Sequence, residues 1–257
     1  MRLRPMIDSG GPSVGGWCSI PSAFCAELMG RAGFDWVCID TQHGLVGYQE
    51  MAAMLQALAV TGTPGLVRVS WNARGEIGKA LDAGAQGVIV PMVNTPDDAA
   101  RAVAACRYPP DGERSFGPVR AAFGLDDYSP ANANDDVTCI VQVETRQAVE
   151  LLPDILAVPG VDVAYVGPAD LAVSYGFAPT FAVSDMRHLD VLDKILQVCR
   201  DAATVAGIHC TAAADVVHWI DQGFGFVTAG SDRGYMARAA NAELATIRQQ
   251  TVWSGSR

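Results

Sequence analysis

Lysine is nearly missing from this 257-residue chain, which has only Lys79 and Lys194. Both fall in helix-like stretches away from strand ends, which argues against a lysine that forms a Schiff base with substrate. The seven cysteines, at 18, 25, 38, 106, 139, 199 and 210, contain no C-x-x-C pair. An odd count without paired spacing speaks against a disulfide framework and for reduced thiols in a cytoplasmic protein. Most of them sit in apolar runs and read as small packed hydrophobes. No apolar run reaches membrane-spanning length without a charge, Gly or Pro. The first eight residues lack the apolar core of a signal peptide. No glycine-rich dinucleotide fingerprint follows the first strand-like run, and no repeat or linker divides the chain. Positive charge is also scarce. Eighteen Lys and Arg against 28 Asp and Glu give a net charge of −10. That argues against nucleic acid or an anionic membrane as the main partner. An anionic small molecule is still allowed, because a cleft can hold a local arginine and a metal.

The chain does carry a large apolar fraction. It is 50% hydrophobic and 18% charged, enough for a sizeable core and against disorder. Strand-like and helix-like stretches alternate from end to end. The pattern predicts strands over 14–20, 34–40, 65–69, 87–91, 137–143, 161–166, 207–210 and 225–229. It predicts helices over 22–31, 48–60, 74–83, 96–106, 146–156, 189–206, 213–222 and 231–248. Eight such pairs indicate a single-domain α/β protein, a closed (β/α)8 TIM barrel over residues 1–257. A doubly wound open sheet is the alternative. Two irregular excursions interrupt the rhythm, at 107–136 and 174–185. Loops of the first one's length are often functional.

In such a barrel the loops after the strands form the active-site face, so the residues at predicted strand ends carry the chemistry. Glu144 closes the fifth strand and Asp170 follows the sixth. Two acids meeting in one cleft suit a hard divalent cation such as Mg²⁺ or Mn²⁺. Alternatively, Glu144 caps the next helix and Asp170 is a solvated loop acid. Asp40 and His43 follow the second strand. Arg68 ends the third amid apolar neighbours, where an unpaired charge is costly, so it needs a partner. Trp17, Ser19, Gln142, His209, Thr211, Ser231 and Asp232 complete the set. A metal, a base and an arginine at one mouth are the parts that enolate chemistry needs. Asp82, at the end of the third predicted helix, reads on sequence alone as a surface acid.

With these residues assembled, the chain resembles the HpcH/HpaI aldolases, metal-dependent class II pyruvate aldolases, from about Gly15 to Arg238. The carrying motifs are 34-FDWVCID-40 with His43, 67-VRV-69, 81-LDAGAQGVIVP-91, 112-GERSFGPVRA-121, 142-QVE-144, 166-VGPADL-171 and 224-FGFVTAGSD-232. Their order and spacing together are specific. One departure is visible: many members carry Glu directly before the histidine, and here it is Gln42.

The resemblance implies that Glu144 and Asp170 bind a divalent metal (Mg²⁺, Mn²⁺ or Co²⁺). It implies that Arg68 holds the pyruvate carbonyl and enolate oxygen, and that His43 does acid/base work. Asp40 and Asp82 would orient His43, the latter across a subunit interface. Gln142 would bind pyruvate, and the backbone at Gly167, Ala169 and Asp170 would receive its carboxylate. Trp17 would stand at the aldehyde end. The implied substrates are a 4-hydroxy-2-oxo acid, cleaved to pyruvate, and an aldehyde. The implied assembly is a homo-hexamer, a dimer of trimers with a swapped C-terminal helix, in which apolar positions from Tyr235 to Trp253 are covered. The rivals are an acyl-CoA lyase of the citrate lyase β-subunit type, which the His43 motif fits poorly, and a catalytically silent binding barrel.

Overall fold

The computed structural model describes residues 2–123 and 125–250, so Trp253 lies outside the described residues. Eight parallel strands close into a barrel in sequence order. They are β1 (Ser13–Cys18), β2 (Trp36–Asp40), β3 (Gly65–Arg68), β4 (Gly87–Val90), β5 (Thr138–Val143), β6 (Val163–Val166), β7 (Val205–His209) and β8 (Phe226–Ser231). The helices are α1 (Leu3–Asp8), α2 (Ala23–Arg31), α3 (Tyr48–Thr61), α4 (Arg74–Asp82), α5 (Pro96–Cys106), α6 (Pro130–Asp136), α7 (Arg146–Glu150), α8 (Leu152–Leu156), α9 (Pro168–Ser174), α10 (Met186–Asp201), α11 (Ala213–Gln222) and α12 (Asp232–Gln250). No described helix is long and apolar enough to cross a membrane. The barrel is the one the alternation predicts, and the open-sheet alternative falls because β8 pairs with β1.

Side chains alternate across a strand with period two, and this parity builds the interior. Trp36 and Cys38 of β2, Leu66 of β3, Ile89 of β4, Ile140 of β5, Val163 and Tyr165 of β6 and Phe226 of β8 form one inner cluster. The intervening residues, such as Val37, Val67 and Val141, pack outward against the helices. Trp36 and Phe226 stack in parallel, ring centroids 4.0 Å apart. Gly15 makes that possible, since a Cβ there would lie 2.3 Å from the Trp36 ring. One step further up, the same parity aims Asp40, Arg68, Gln142 and His209 at the barrel mouth.

Several sequence expectations shift. The predicted helix over 146–156 is two short helices that meet at Leu151, where Pro153 sits in the first turn of the second. The helix predicted to reach residue 206 stops at Asp201, and Val205 and Ala206 belong to β7. Three helices have no counterpart in the sequence pattern. The first, α1, buries Leu3 and Ile7 into the inner cluster and so closes the barrel's N-terminal end. The second, α6, lies inside the long 107–136 excursion, where Pro130 and the Ser129 cap start it. Its Asn134 is buried and bonded to both backbone groups of Tyr108. The third, α9, follows β6 directly, with Pro168 at its first position.

Candidate active site

The second and third strands meet in a register that pairs Asp40 with Arg68. Both face inward and both are buried. Arg68 donates Nε to Asp40 Oδ1 at 2.9 Å and Nη2 to Oδ2 at 2.6 Å, a two-pronged ion pair. Trp17 supports both partners. Its indole Nε1 donates to Asp40 Oδ2 at 3.2 Å, and the Arg68 guanidinium lies 4.9 Å from its ring centroid. Burial pushes the Asp40 carboxyl up, but the hydrogen bonds and charge of Arg68 win and hold it below the usual range. Asp40 is therefore ionised and occupied.

Asp40 also shapes the loop that carries His43. Its Oδ1 accepts the backbone N–H of Gln42 at 3.0 Å and of His43 at 3.2 Å. The turn is tight enough that a Cβ on Gly44 would sit 2.1 Å from the Asp40 carbonyl oxygen. Asp40 thus positions His43 through the backbone, while the imidazole itself is exposed at the pocket rim.

The fifth and sixth strands supply the opposite wall. Gln142 and Glu144 keep the inward parity of Ile140. Gln142 Nε2 donates to Glu144 Oε2 at 2.6 Å. Met92, held at φ 55°, donates its N–H to Glu144 Oε1 at 2.7 Å. Positive φ is strained for a methionine, and such strain clusters at functional sites. Glu144 is 2% exposed. Burial and the nearby negative charge of Asp170 raise its carboxyl to about 7, against the Met92 N–H and the charge of Arg68. Asp170, on the first turn of α9, is exposed. The Oε1 of Gln142 is buried with no hydrogen-bond partner among the described residues.

These walls enclose a cavity of about 470 Å³. Trp17, Asp40, His43, Arg68, Gln142, Gly167, Ala169 and Asp170 all line it, with Glu144 hydrogen-bonded directly behind Gln142. Asp82 does not. It ends α4 at the far end of the barrel, where Arg114 Nη2 donates to its carboxylate at 2.8 Å. Asp232 was a candidate strand-end acid, but its carboxylate is consumed. It accepts the backbone N–H groups of Ser19, Ile20 and Arg233, pinning the loop after β1 to the start of α12. Tyr165, Phe181 and Arg233 line the cavity without having been singled out in sequence. Tyr165 was detectable by parity, two residues after Val163. Phe181 lies in an irregular excursion where no periodicity could aim it.

The donor set can be tested against a divalent cation. Glu144 is desolvated and feels the negative charge of Asp170, and the unpartnered amide oxygen belongs to Gln142, which bonds Glu144. A hard cation with 6–8 oxygen ligands or an octahedral set would relieve all three and keep positions for water and substrate. Among the described residues no three His, Cys, Asp or Glu side chains converge, so the protein itself would supply few ligands.

A family model described as HpcH/HpaI aldolase/citrate lyase matches residues 14–239. A 4-hydroxy-2-oxo-heptane-1,7-dioate aldolase of Shigella sonnei is 37% identical over 257 residues, covering 97% of this chain and 96% of its own. A hydroxypyruvate/pyruvate aldolase of Rhizorhabdus wittichii is 34% identical over 247 residues, covering 96% and 98%. The crystal structure of an HpcH/HpaI aldolase/citrate lyase family protein from Burkholderia cenocepacia superposes with a TM-score of 0.89 at 34% identity, covering 96% of this chain and 98% of that one.

The raised Glu144 carboxyl has a consequence for stability. A carboxyl that binds its proton more tightly folded than unfolded opposes folding once ionised. Stability therefore falls as pH rises from the ordinary value of 4.5 to about 7, by on the order of 3 kcal/mol at most. Glu144→Gln, with the Gln142 amide turned to donate or accept as needed, is expected to raise the thermal midpoint of chelator-treated protein at pH 8. About 2–4 °C per kcal/mol is the expected scale, with a much smaller gain at pH 5. Equal shifts at both pH values would contradict the assignment.

Proposed function

Because this chain belongs to the HpcH/HpaI aldolase/citrate lyase family, we propose that the barrel mouth is the active site of a divalent-metal-dependent lyase. It cleaves 4-hydroxy-2-oxo acids to pyruvate and an aldehyde. The observation that carries this reading is a fixed guanidinium sharing one small cavity with the exposed Asp170, with the desolvated Glu144 directly behind the cavity wall.

Glu144 and Asp170 would hold the cation, which supplies Lewis-acid charge to the oxygens of the 2-oxo acid when bound. Arg68, splayed on Asp40, presents its remaining N–H groups to the C2 oxygen, where negative charge collects as the C3–C4 bond breaks. Its fork is already paid for by the fold, so little reorganises during reaction. His43 would take the proton of the C4 hydroxyl, directly or through water, so that C4 leaves as the aldehyde. A second proton, delivered to C3, completes pyruvate. General acid–base help of this kind is worth roughly 10²–10⁴-fold. The first turn of α9 leaves the N–H groups of Ala169 and Asp170 without intrahelical partners, suited to the substrate carboxylate beside Gly167. Gln142 would add its free amide oxygen to the polar wall. Trp17 belongs with Arg68 and Asp40 as their support, at the floor of the aldehyde side.

Arg68→Ala is expected to abolish both metal-dependent exchange of the pyruvate C3 protons and aldol cleavage. Lysine should rescue poorly, because it lacks the planar fork. Exhaustive removal of metal should abolish both activities in the parent enzyme. Proton exchange at near-parent rate in Arg68→Ala would contradict its role at the enolate oxygen.

The reading extends to assembly as a homo-oligomer, a hexamer built from trimers with exchanged C-terminal helices. Every α12 residue from Met236 to Gln250 is exposed in the single chain, so this stretch of the helix has no packed face of its own. Leu45 beside His43 is 84% exposed, and Val119 and Phe123 near the Asp82–Arg114 pair are 90% and 87% exposed. Large apolar surfaces on a monomer are uncommon. A neighbour's Asp82 would thereby reach the His43 rim that its own chain cannot serve. The seven cysteines are all free, which supports a reducing cytoplasmic setting. Dissociating and mixing His43→Ala with Asp82→Ala should restore part of the activity, because mixed interfaces regenerate intact sites. An active monomer at assay concentration would contradict the shared site.

A further inference from the structure

One side chain in the cavity has no part in the chemistry above. His209 ends β7 with the inward parity of Gly207 and lines the pocket. Its ring stands edge-on to Trp17, centroids 4.8 Å apart. The same indole carries the Arg68 guanidinium on its face, so His209 and Arg68 border the same reaction space. The Phe181 ring lies tilted to it, centroids 5.5 Å apart.

The ring is held by a short chain of hydroxyls. His209 Nδ1 lies 3.0 Å from the Tyr165 hydroxyl, which also bonds Thr228 Oγ1. No hydrogen bond from the described residues reaches Nε2, and that nitrogen is not among the buried, unpartnered atoms. The part of the residue that stays accessible opens into the cavity.

Charge narrows what Nε2 can meet. Burial first, then the positive charge of Arg68 and of Arg233, push the imidazole down to about 3, against the pull of Asp40. A neutral ring gains no ion pair from a carboxylate and is too weak a base to activate a nucleophile. The hydroxyl chain can run in either direction. If Tyr165 donates to Nδ1, then Nε2 carries the hydrogen and donates; if Thr228 receives the Tyr165 proton, Nε2 accepts. An alcohol matches both cases, whereas a carboxylate only accepts and an ammonium only donates. A methyl group matches neither and leaves a polar nitrogen desolvated.

We propose that His209 is a specificity-determining residue whose Nε2 hydrogen-bonds an aliphatic hydroxyl of the substrate next to the reacting carbons, a role that rests on the aldolase reading. The hydroxyl comes from one of two sources. It is carried by the 2-oxo acid, as in hydroxypyruvate against pyruvate, or by the aldehyde, as in glycolaldehyde against acetaldehyde. Sites built to bond a substrate hydroxyl discriminate strongly against the analogue without it.

The test is aldol addition by the metal-loaded full-length enzyme with all four donor–acceptor combinations. It is run on the parent, His209→Phe and His209→Gln, with kcat/KM and thermal midpoint for each. The parent should favour the hydroxyl-bearing member of one pair by at least about tenfold, and the pair that shows it names the source. In His209→Phe that ratio should fall to near one, while His209→Gln keeps part of it. If His209→Phe does not fold, the ratio in His209→Gln and in Tyr165→Phe decides. No preference in the parent, or a ratio that survives in the folded variants, would overturn the role of His209 and leave the aldolase reading standing. A parent enzyme inactive on all four combinations would remove the aldolase reading, and this inference with it.

Discussion

The buried pair of Asp40 and Arg68 organises the site. It exists because β2 and β3 pair in a register that sets these two residues side by side, both pointing inward. Taking two charges out of water is expensive, and only good geometry with further hydrogen bonds compensates. Here the geometry is two-pronged, Trp17 adds a third contact, and the amides of Gln42 and His43 complete the carboxylate. Removing Asp40 would leave a buried guanidinium without a partner, a change that commonly costs about 3–5 kcal/mol. It would also release the loop that carries His43. One ion pair therefore fixes the cation that faces substrate and the backbone that holds the base.

The opposite wall is organised in the contrary way. Asp40 has more partners than it needs, whereas Glu144 has fewer. It is buried, faces another acid, and is supported by a strained methionine amide and one glutamine. A protein evolved only for stability would not keep such a group. The arrangement fits a place where an external cation completes the electrostatics, and it illustrates how function draws on the stability of the surrounding barrel. Between the two walls, the stacked rings of Trp17 and Tyr165, centroids 6.2 Å apart, give the cavity an apolar floor. Charges inside it then interact more strongly than they would in water.

Much of this was legible in the sequence. The barrel follows from eight buried apolar runs separated by amphipathic stretches, and strand-end position alone singled out Asp40, Arg68, Gln142, Glu144 and Asp170. The need of Arg68 for a partner was also readable, but the partner's identity was not. Register between strands depends on closure of the whole barrel, which no local pattern records. The resemblance implies that Asp40 orients His43, and in the fold its carboxylate bonds Arg68 and the backbone N–H groups of Gln42 and His43. Helix α1 is not legible in the sequence, because six residues with a proline carry too little periodicity, although Leu3 and Ile7 are core residues. Asp232 looked like a ligand at a strand end, and only the folded loop after β1 reveals that its oxygens are taken.

The most direct test of the central claim is proton release on metal binding. Calorimetric titration of metal-free enzyme with Mn²⁺, in buffers of different ionisation enthalpy, counts the protons displaced. With Glu144 near 7, roughly one proton per ion should be released at pH 6 and far less at pH 8. Glu144→Gln should lose the difference along with most of the affinity. Binding at pH 6 without proton release, or an unaltered pH dependence in Glu144→Gln, would contradict the claim that this acid is held in wait for a cation.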